Sequence, residues 1–290
     1  MTRPTPTQLR AFNEVASTGS FSRAARSLGI SQPAITAQIK SLEEAFEVRL
    51  FERTSTGAEL TPLGDRLFQR TAELRDTERD AAGILLSSRA MEVGELSIAA
   101  GAPGPAMRHV AHFRRRYPGV RIDISFGNWQ DVVTAVRDRQ VDLGILTEAP
   151  SGSTILRRPL LMQSLVALVP ATHPLARCRV LKLADLQNQP LLFRSGRSQT
   201  QRELNAALRA HGLTLEPLFW LESREAVYEA AAQGLGIGFM FDAATRRSDD
   251  VVRVPIHEIP GEFPEYAFCL ATRASTDVVR AFMESTAPDL

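Results

Sequence analysis

The sequence predicts an α+β chain in two parts: a small N-terminal domain of helices and a hairpin, then a long helix that leads to a C-terminal α/β domain. Three observations support this. Apolar residues recur at helical spacing up to Thr61, a helical pattern without internal proline runs from Leu63 to about Ser88, and strands alternate with helices after Gly94. We therefore expect domains at 1–61 and 91–290, joined by a helix at 62–90.

The composition is that of an ordinary globular protein. The 290 residues suffice for two domains, with 44% hydrophobic and 23% charged residues. There is neither a signal-peptide pattern nor an apolar run near the roughly 20 residues that span a bilayer, so we expect a cytoplasmic protein without a membrane partner. Two cysteines, Cys178 and Cys269, fit a reducing compartment. The net charge of +1 allows at most a small basic face.

The first part predicts three short helices and a hairpin. The first helix covers Gln8 to Ser17, Ser20 or Ser22 can cap the second, and Ser31 caps the third. An apolar stripe on the third helix consists of Ile35, Ile39, Leu42 and Phe46, and the residues expected to pack beneath it are Ala25, Leu28 and Ile30. Two short strands around a Ser-Thr-Gly turn follow, which would form a wing beside a helix-turn-helix.

The long helix begins with Thr61 as its cap and Pro62 at its first position. Its apolar seam consists of Leu63, Leu67, Leu74, Ala81 and Leu85. A long helix that leads away from a small domain favours pairing with a second copy of itself. The alternative is an exposed connector that lies on its own domain.

The remaining sequence predicts repeated β-α-β units in two lobes, about 91–161 with 269–290, and about 162–268. We expect a helix from Pro105 to Tyr117 and a strand over 213–221, among other elements. Ligands of open α/β sheets bind at the carboxyl ends of strands, so a cleft between the lobes is the expected site.

The segment "FSRAARSLGISQPAITAQIKSLEEAFEVRLFERT", followed by "LTPLG", closely resembles the DNA-binding domain of LysR-type transcriptional regulators. This similarity covers about residues 7–64. The α/β remainder resembles the family's effector domain, which is itself similar to periplasmic solute-binding proteins. The resemblance implies a winged helix-turn-helix, a homodimer through the linker helix, a homotetramer on promoter DNA and a small effector without a cofactor. It leaves contact with RNA polymerase open.

On this interpretation the third helix presents its N-terminal end to the major groove, where its N–H groups face phosphates. The residues predicted to contact DNA are Ser22, Ser31, Gln32, Pro33, Thr36, Ala37, Lys40 and Arg53. Gln can pair with adenine, and Thr and Lys can reach base edges or phosphates. The alternative is that Ser31 and Pro33 only start the helix and the others form a solvated face.

Two departures from the family weaken the expected contacts. Ala37 stands where many relatives have a longer polar side chain, and the wing tip Ser55-Thr56-Gly57 lacks their arginine. Residues 1–58 hold seven Lys or Arg against five acids, so tight binding needs several subunits.

Polar residues at strand ends and helix starts are the candidates for effector binding. They are Ala102, Pro103, Gly104, Asn128, Thr147, Arg194, Ser195, Ser198, Thr200, Ser223 and Arg224. Hydroxyls, helix starts and arginines favour a small anion such as a carboxylate or phosphonate. The alternative is that the hydroxyls only cap helices and the arginines are solvated.

A narrower resemblance concerns regulators associated with 2-aminoethylphosphonate use. It is carried by "LESREAVYEAAAQGLGIG", "SGRSQTQRELNAALRAHGL" and "ASTDVVRAFM". It implies a phosphonate or aminophosphonate effector. The loop "GAPGP" departs from these relatives, which often have a polar residue there.

Other functional classes fit less well. The histidines are scattered, and no ligand-spaced cluster of Cys, Asp or Glu accompanies them. His109 and His112 lie three apart on a helix and could share a metal, but helix-surface or core roles fit them better, so we expect neither an enzyme nor a metal site. "GLGIG" follows a helix and enters a strand, the reverse of the dinucleotide-binding order. The presence of the predicted N-terminal domain argues against a free-standing solute-binding protein. A redox-responsive regulator that uses Cys178, between Arg177 and Arg179, is the remaining alternative.

Overall fold

The computed structural model describes residues 3–54, 57–85 and 94–285. It divides into two units, one of Met1–Ala90 with Asp138–Gln140, and one of Met91–Arg137 with Val141–Leu290. Within the described residues, no helix has the length and apolar character needed to cross a membrane.

Three helices and a hairpin form most of the first unit. The helices are α1 (Pro6–Thr18), α2 (Phe21–Ser27) and α3 (Gln32–Phe46), and the antiparallel strands are β1 (Phe51–Thr54) and β2 (Gly57–Leu60). Ser20, not Ser22, caps α2 by accepting a hydrogen bond from Arg23 N. Gly19 ends α1 with φ 61°, a left-handed conformation that glycine adopts without strain.

The core of this unit differs from the sequence expectation at three positions. Phe12, Ile35 and Ile39 are buried in it as the helical spacing predicts. Leu28, Ile30 and Phe46 are exposed instead, at 36%, 43% and 39%. Leu28 and Ile30 lie in the turn between α2 and α3, and Phe46 is the last residue of α3, so none of them faces the helix–helix contact.

Helix α4 (Pro62–Leu85) starts on its own domain. Phe68 is buried in the core of the first unit, with Leu63 and Leu67 packed against that core. The side chains of Thr71 and Asn13 hydrogen-bond between α4 and α1 over 2.5 Å. Farther along, Leu74 and Ala81 are exposed. The side chain of Leu85 and residues 86–88 lie outside the described part.

The second unit is built on a mixed sheet of seven strands. The first lobe contains β3 (Glu95–Ala100), β4 (Arg121–Phe126) and β5 (Leu143–Thr147), which are parallel, with helices α5 (Pro103–Arg116) and α6 (Trp129–Arg137) between them. Helix α5 begins two residues before the predicted Pro105. Pro103 can occupy the first helical turn because its missing N–H has no partner there.

Strand β6 (Ile155–Pro170) connects the two lobes. Its first part pairs with β11 (Glu262–Leu270), which also pairs with β5, so residues 262–268 lie in the first lobe's sheet and the expected boundary near 268 falls inside a strand. Its second part pairs with β9 (Gly238–Phe241) and β10 (Val251–Pro255) of the second lobe. The register of β6 and β11 shifts between Glu265 and Tyr266, as at a β-bulge.

The rest of the second lobe consists of β7 (Leu192–Arg194), α7 (Gln199–Ala210), β8 (Phe219–Leu221) and α8 (Arg224–Ala232). Helix α9 (Asp277–Ser285) returns to the core of the first lobe through Val279 and Phe282. The strand predicted over 213–221 is only three residues long, and it begins after Pro217, which has no N–H to donate to a ladder.

The two lobes touch at Gly104, on the first turn of α5. A Cβ there would lie 2.3 Å from the carbonyl oxygen of Ala243 and 2.6 Å from that of Ala244. Both carbonyls belong to the 3-10 turn after β9. Only glycine allows these two backbones to approach so closely.

Candidate functional site

The N-terminal end of α3 forms an exposed surface. Ser31 caps the helix and accepts a hydrogen bond from Ala34 N. The side chains that share one shallow groove there are those of Gln32, Pro33, Thr36, Ala37 and Lys40. The structure thus brings together five of the eight residues predicted to contact DNA, and Ser22 and Ser31 adjoin them.

Hydrogen bonds orient two of these side chains. The Ser22 hydroxyl donates to Oε1 of Gln32 over 2.7 Å, which joins α2 to α3. The Thr36 hydroxyl donates to the carbonyl oxygen of Gln32 over 2.9 Å. The amide hydrogens of Gln32 and the methyl group of Thr36 therefore remain available to a base edge.

The charge on this surface is small. Lys40 Nζ lies 3.5 Å from Glu44 Oε1, and both side chains are well exposed. Such a pair contributes only a few tenths of a kcal/mol, so it can open when a phosphate approaches. Arg53 lies on β1 opposite Ala58, but its side chain is not among those described. Ser55 and Thr56 of the expected wing tip lie outside the described residues.

The second site is a narrow cleft between the lobes of the second unit. Seven predicted effector residues line it: Ala102, Asn128, Thr147, Arg194, Ser198, Thr200 and Arg224. Pro103 and Gly104 line a neighbouring cavity instead. Gly104 allows the backbones of the two lobes to approach closely there. Ser195 and Ser223 do not line the cleft. The hydroxyl of Ser223 caps α8 by accepting a hydrogen bond from Ala226 N, as the alternative interpretation predicts.

Arg194 is held in place at the end of β7. Its Nη1 donates to the Ser198 hydroxyl and its Nη2 to the Glu222 carbonyl, both over 2.9 Å. Ser198 precedes α7, but its side chain makes no capping bond. Burial, and next the neighbouring Arg224, lower the pKa of Arg194 to about 10, so it stays charged at neutral pH. Burial also lowers the pKa of Arg224.

Helix starts supply further polar groups. Asn128 Oδ1 accepts hydrogen bonds from the backbone of Gln130 and Asp131, so this side chain also caps α6. Ser198 and Thr200 are 3% and 7% exposed. The cleft thus combines two arginines with buried hydroxyls, a set suited to a small anion.

Sequence reasoning missed a buried polar cluster on the first-lobe side. Glu265 lies opposite Thr147 in the β11–β5 ladder and accepts a hydrogen bond from its hydroxyl over 2.5 Å. Gln163 Nε2 donates to Glu265 Oε2 over 2.8 Å and to Thr147 Oγ1 over 2.9 Å. Burial raises the pKa of Glu265 to about 7, against the lowering effects of Thr147, Arg224 and Gln163. Glu265 lies in a mainly apolar strand of the sequence, so only its burial in the structure marks it as a candidate site residue.

The two cysteines differ. Cys178 is exposed, and Cys269 is buried in the core of the first lobe. Burial raises the pKa of Cys269 to about 11, which disfavours its thiolate. Among the residues that the structure describes, no three His, Cys, Asp or Glu side chains are grouped to hold a metal ion.

Together these features define a class: a helix-turn-helix regulator with a two-lobed ligand-binding domain. Two family models match the chain, "LysR substrate binding domain" over residues 89–288 and "Bacterial regulatory helix-turn-helix protein, lysR family" over residues 6–65. The chain belongs to the LysR family. It is a DNA-binding transcriptional regulator with an effector-binding domain.

Individual relatives agree with this assignment. The chain is 29% identical over 244 residues to the transcriptional regulator CysL of Bacillus subtilis, covering 82% of this chain and 81% of CysL. It is 33% identical over 238 residues to the uncharacterized regulator YeiE of Escherichia coli, covering 79% and 78%. A full-length OxyR variant from Pseudomonas aeruginosa shares the fold, with a TM-score of 0.77 at 20% identity over 99% of this chain and 95% of that one.

Proposed function

We propose that this regulator responds to a small anion that binds between the two lobes, with Arg194 and Arg224 as the anion-binding residues. The supporting observation is the pair of half-buried arginines beside the buried hydroxyls of Ser198 and Thr200. A carboxylate or phosphonate group matches the planar, multiple donors of arginine. In its more specific form, the proposal is that the anion is a phosphonate.

The same proposal includes promoter recognition by α3 and assembly through α4. The groove of Gln32, Thr36 and Lys40 would read the major groove, with Ser22 and Ser31 near the phosphates. Exposed Leu74 and Ala81 on α4 suit pairing with a second copy. Since the first 58 residues have a small positive excess, two or four subunits would supply the affinity.

The test compares Arg194→Ala with Arg197→Ala in the full chain. Arg197 is an exposed arginine of the same loop outside the cleft, so it is a matched control. The ligands are phosphate, phosphonates and carboxylates. We expect any of them that raises the melting temperature of the parent and of Arg197→Ala to have no such effect on Arg194→Ala. Binding to a DNA site selected from a random pool should remain in both variants.

Two results would contradict the proposal. One is an equal thermal shift in Arg194→Ala and the control. The other is a full effector response in both Ser198→Ala and Thr200→Ala, which remove hydroxyls that line the cleft. The redox alternative has a separate test: peroxide should leave DNA binding of the parent and of Cys178→Ser equally unchanged, and a peroxide response that the parent shows and Cys178→Ser loses would revive it.

A further inference from the structure

Two buried oxygen atoms on one side of the effector cleft lack a hydrogen-bond donor. They are Oε1 of Gln163 and Oε1 of Glu265, which have no partner within the described part of the chain. Gln163 is 3% exposed and Glu265 is 0% exposed. A buried acceptor without a hydrogen bond destabilises the folded protein, so such groups call for a functional explanation.

The neighbouring donors are already used in other hydrogen bonds, so they do not serve these two oxygens. Both contacts of Gln163 Nε2 are directed at Thr147 and Glu265, which fixes the amide with its oxygen on the other side. The Thr147 hydroxyl hydrogen is also used, on Glu265 Oε2. Because Gln163 lines the cleft, a donor for its oxygen can come from a bound molecule.

Two arginines line the cleft, and a buried carboxyl group lies behind its lining. Arg194 and Arg224 lie on the second-lobe side, and the Glu265 carboxyl lies behind Thr147 and Gln163 on the first-lobe side. We propose that the effector is a small zwitterion whose amine donates to Gln163 Oε1, with Glu265 supplying the opposing charge, while its anionic group binds the arginines. This inference rests on the proposed anion site and specifies the other end of the ligand.

The ionisation of Glu265 supports this arrangement. Burial raises the pKa of this carboxyl to about 7, and the groups facing it are Thr147, Gln163 and Arg224. A ligand ammonium would favour the ionised carboxyl, so affinity for an amine-bearing ligand should fall as the pH drops below about 7.

The test uses the full chain and calorimetric titration with matched pairs of probes. Each pair shares an anion and differs in the amine: 2-aminoethylphosphonate and ethylphosphonate, taurine and ethanesulfonate, β-alanine and propionate. We expect the amine to strengthen binding at least about tenfold in the pair whose anion fits, since a charge-assisted hydrogen bond is worth about 1.5–3 kcal/mol. This comparison needs no variant.

Two variants then locate the effect. Glu265→Gln keeps the side-chain shape and Gln163→Leu removes the unsatisfied oxygen, so each should reduce the preference for the amine to below about threefold. Glu262→Gln, an exposed position on the same strand, should keep it. Binding of the anion itself should still depend on Arg194 in every case.

Three outcomes would overturn the inference. If the probe without an amine binds as tightly as its partner, and Arg194→Ala abolishes both, the inference fails and the anion site stands. If both cluster variants keep the full preference for the amine, Gln163 and Glu265 do not recognise it. If none of the six probes binds in an Arg194-dependent way, this inference and the proposed function fail together.

Discussion

The Ser22 hydroxyl donates a 2.7 Å hydrogen bond to Oε1 of Gln32, and this bond joins the two helices of the helix-turn-helix. It restricts an exposed side chain that would otherwise sample several rotamers. A side chain that is already oriented loses less entropy when it contacts a base. Ser22 is therefore a positioning residue for Gln32 in the proposed DNA complex.

Gln32→Ala should weaken binding to the selected DNA site by about 1–3 kcal/mol while binding to random DNA changes little, because the variant lacks only a group that hydrogen-bonds to a base. Ser22→Ala should act in the same direction with a smaller effect. The measurement is a titration of full-length protein on both DNAs by fluorescence anisotropy. Equal weakening on the two DNAs would mean that Gln32 does not read sequence.

Lys40→Ala should weaken binding to specific and random DNA alike, because Lys40 is proposed to reach a phosphate once it leaves Glu44. The slope of log affinity against log salt should fall by about 0.9 for each phosphate that the variant no longer neutralises. Lys182→Ala serves as the control, since it replaces the other lysine of the chain, in the second unit. An unchanged salt slope would remove Lys40 from the interface.

Gly104→Ala should destabilise the second unit, because the added Cβ would meet two backbone carbonyl oxygens at 2.3 and 2.6 Å. Overpacking of this kind costs about 1–3 kcal/mol, and each kcal/mol lowers the melting temperature by about 2–4 °C in a domain of this size. At Gly196, by contrast, a Cβ would meet nothing within 4 Å. Gly196→Ala should melt as the parent does, and equal melting of all three proteins would contradict the close approach of the two backbones.

The raised pKa of Glu265 predicts a specific pH dependence of stability. The folded protein holds this proton up to about pH 7, whereas an unfolded chain releases it near the ordinary pKa of 4.5. The stabilisation of the folded state that comes from this raised pKa is therefore complete below about pH 4.5. It decreases as the pH rises from there and is lost above about pH 7.

Glu265→Gln cannot show this decrease. Urea unfolding of both proteins between pH 4.5 and 8 should give a difference in unfolding free energy that changes up to about pH 7 and then levels off. Thr147 and Gln163 carry no titratable group, and an arginine ordinarily titrates far above this range, so the change reports on Glu265. Parallel curves would show that the carboxyl has an ordinary pKa.

Local signals in the sequence were enough to predict most helices and strands, and the helix that we propose reads DNA. Ser31, Pro33 and the spacing of Ile35 and Ile39 define α3 because capping and helical periodicity act over a few residues. Once α3 is defined, the outward positions follow from its geometry. The same local signals misplaced Leu28, Ile30 and Phe46, which are apolar but lie beyond the region where the helices pack together.

The full lining of the proposed effector cleft could not be predicted from the sequence, because it depends on tertiary structure. Thr147 and Glu265 are 118 residues apart and meet only because β11 returns beside β5. Arg194 and Ser198 are candidates from the same loop of the sequence, and the fold joins them through a hydrogen bond. Ser195, Pro103 and Gly104 were equally plausible as strand-end residues but do not line the cleft. A sequence records which residues follow a strand, whereas the pairing of distant strands decides which side chains share a site and which of them are shielded from water.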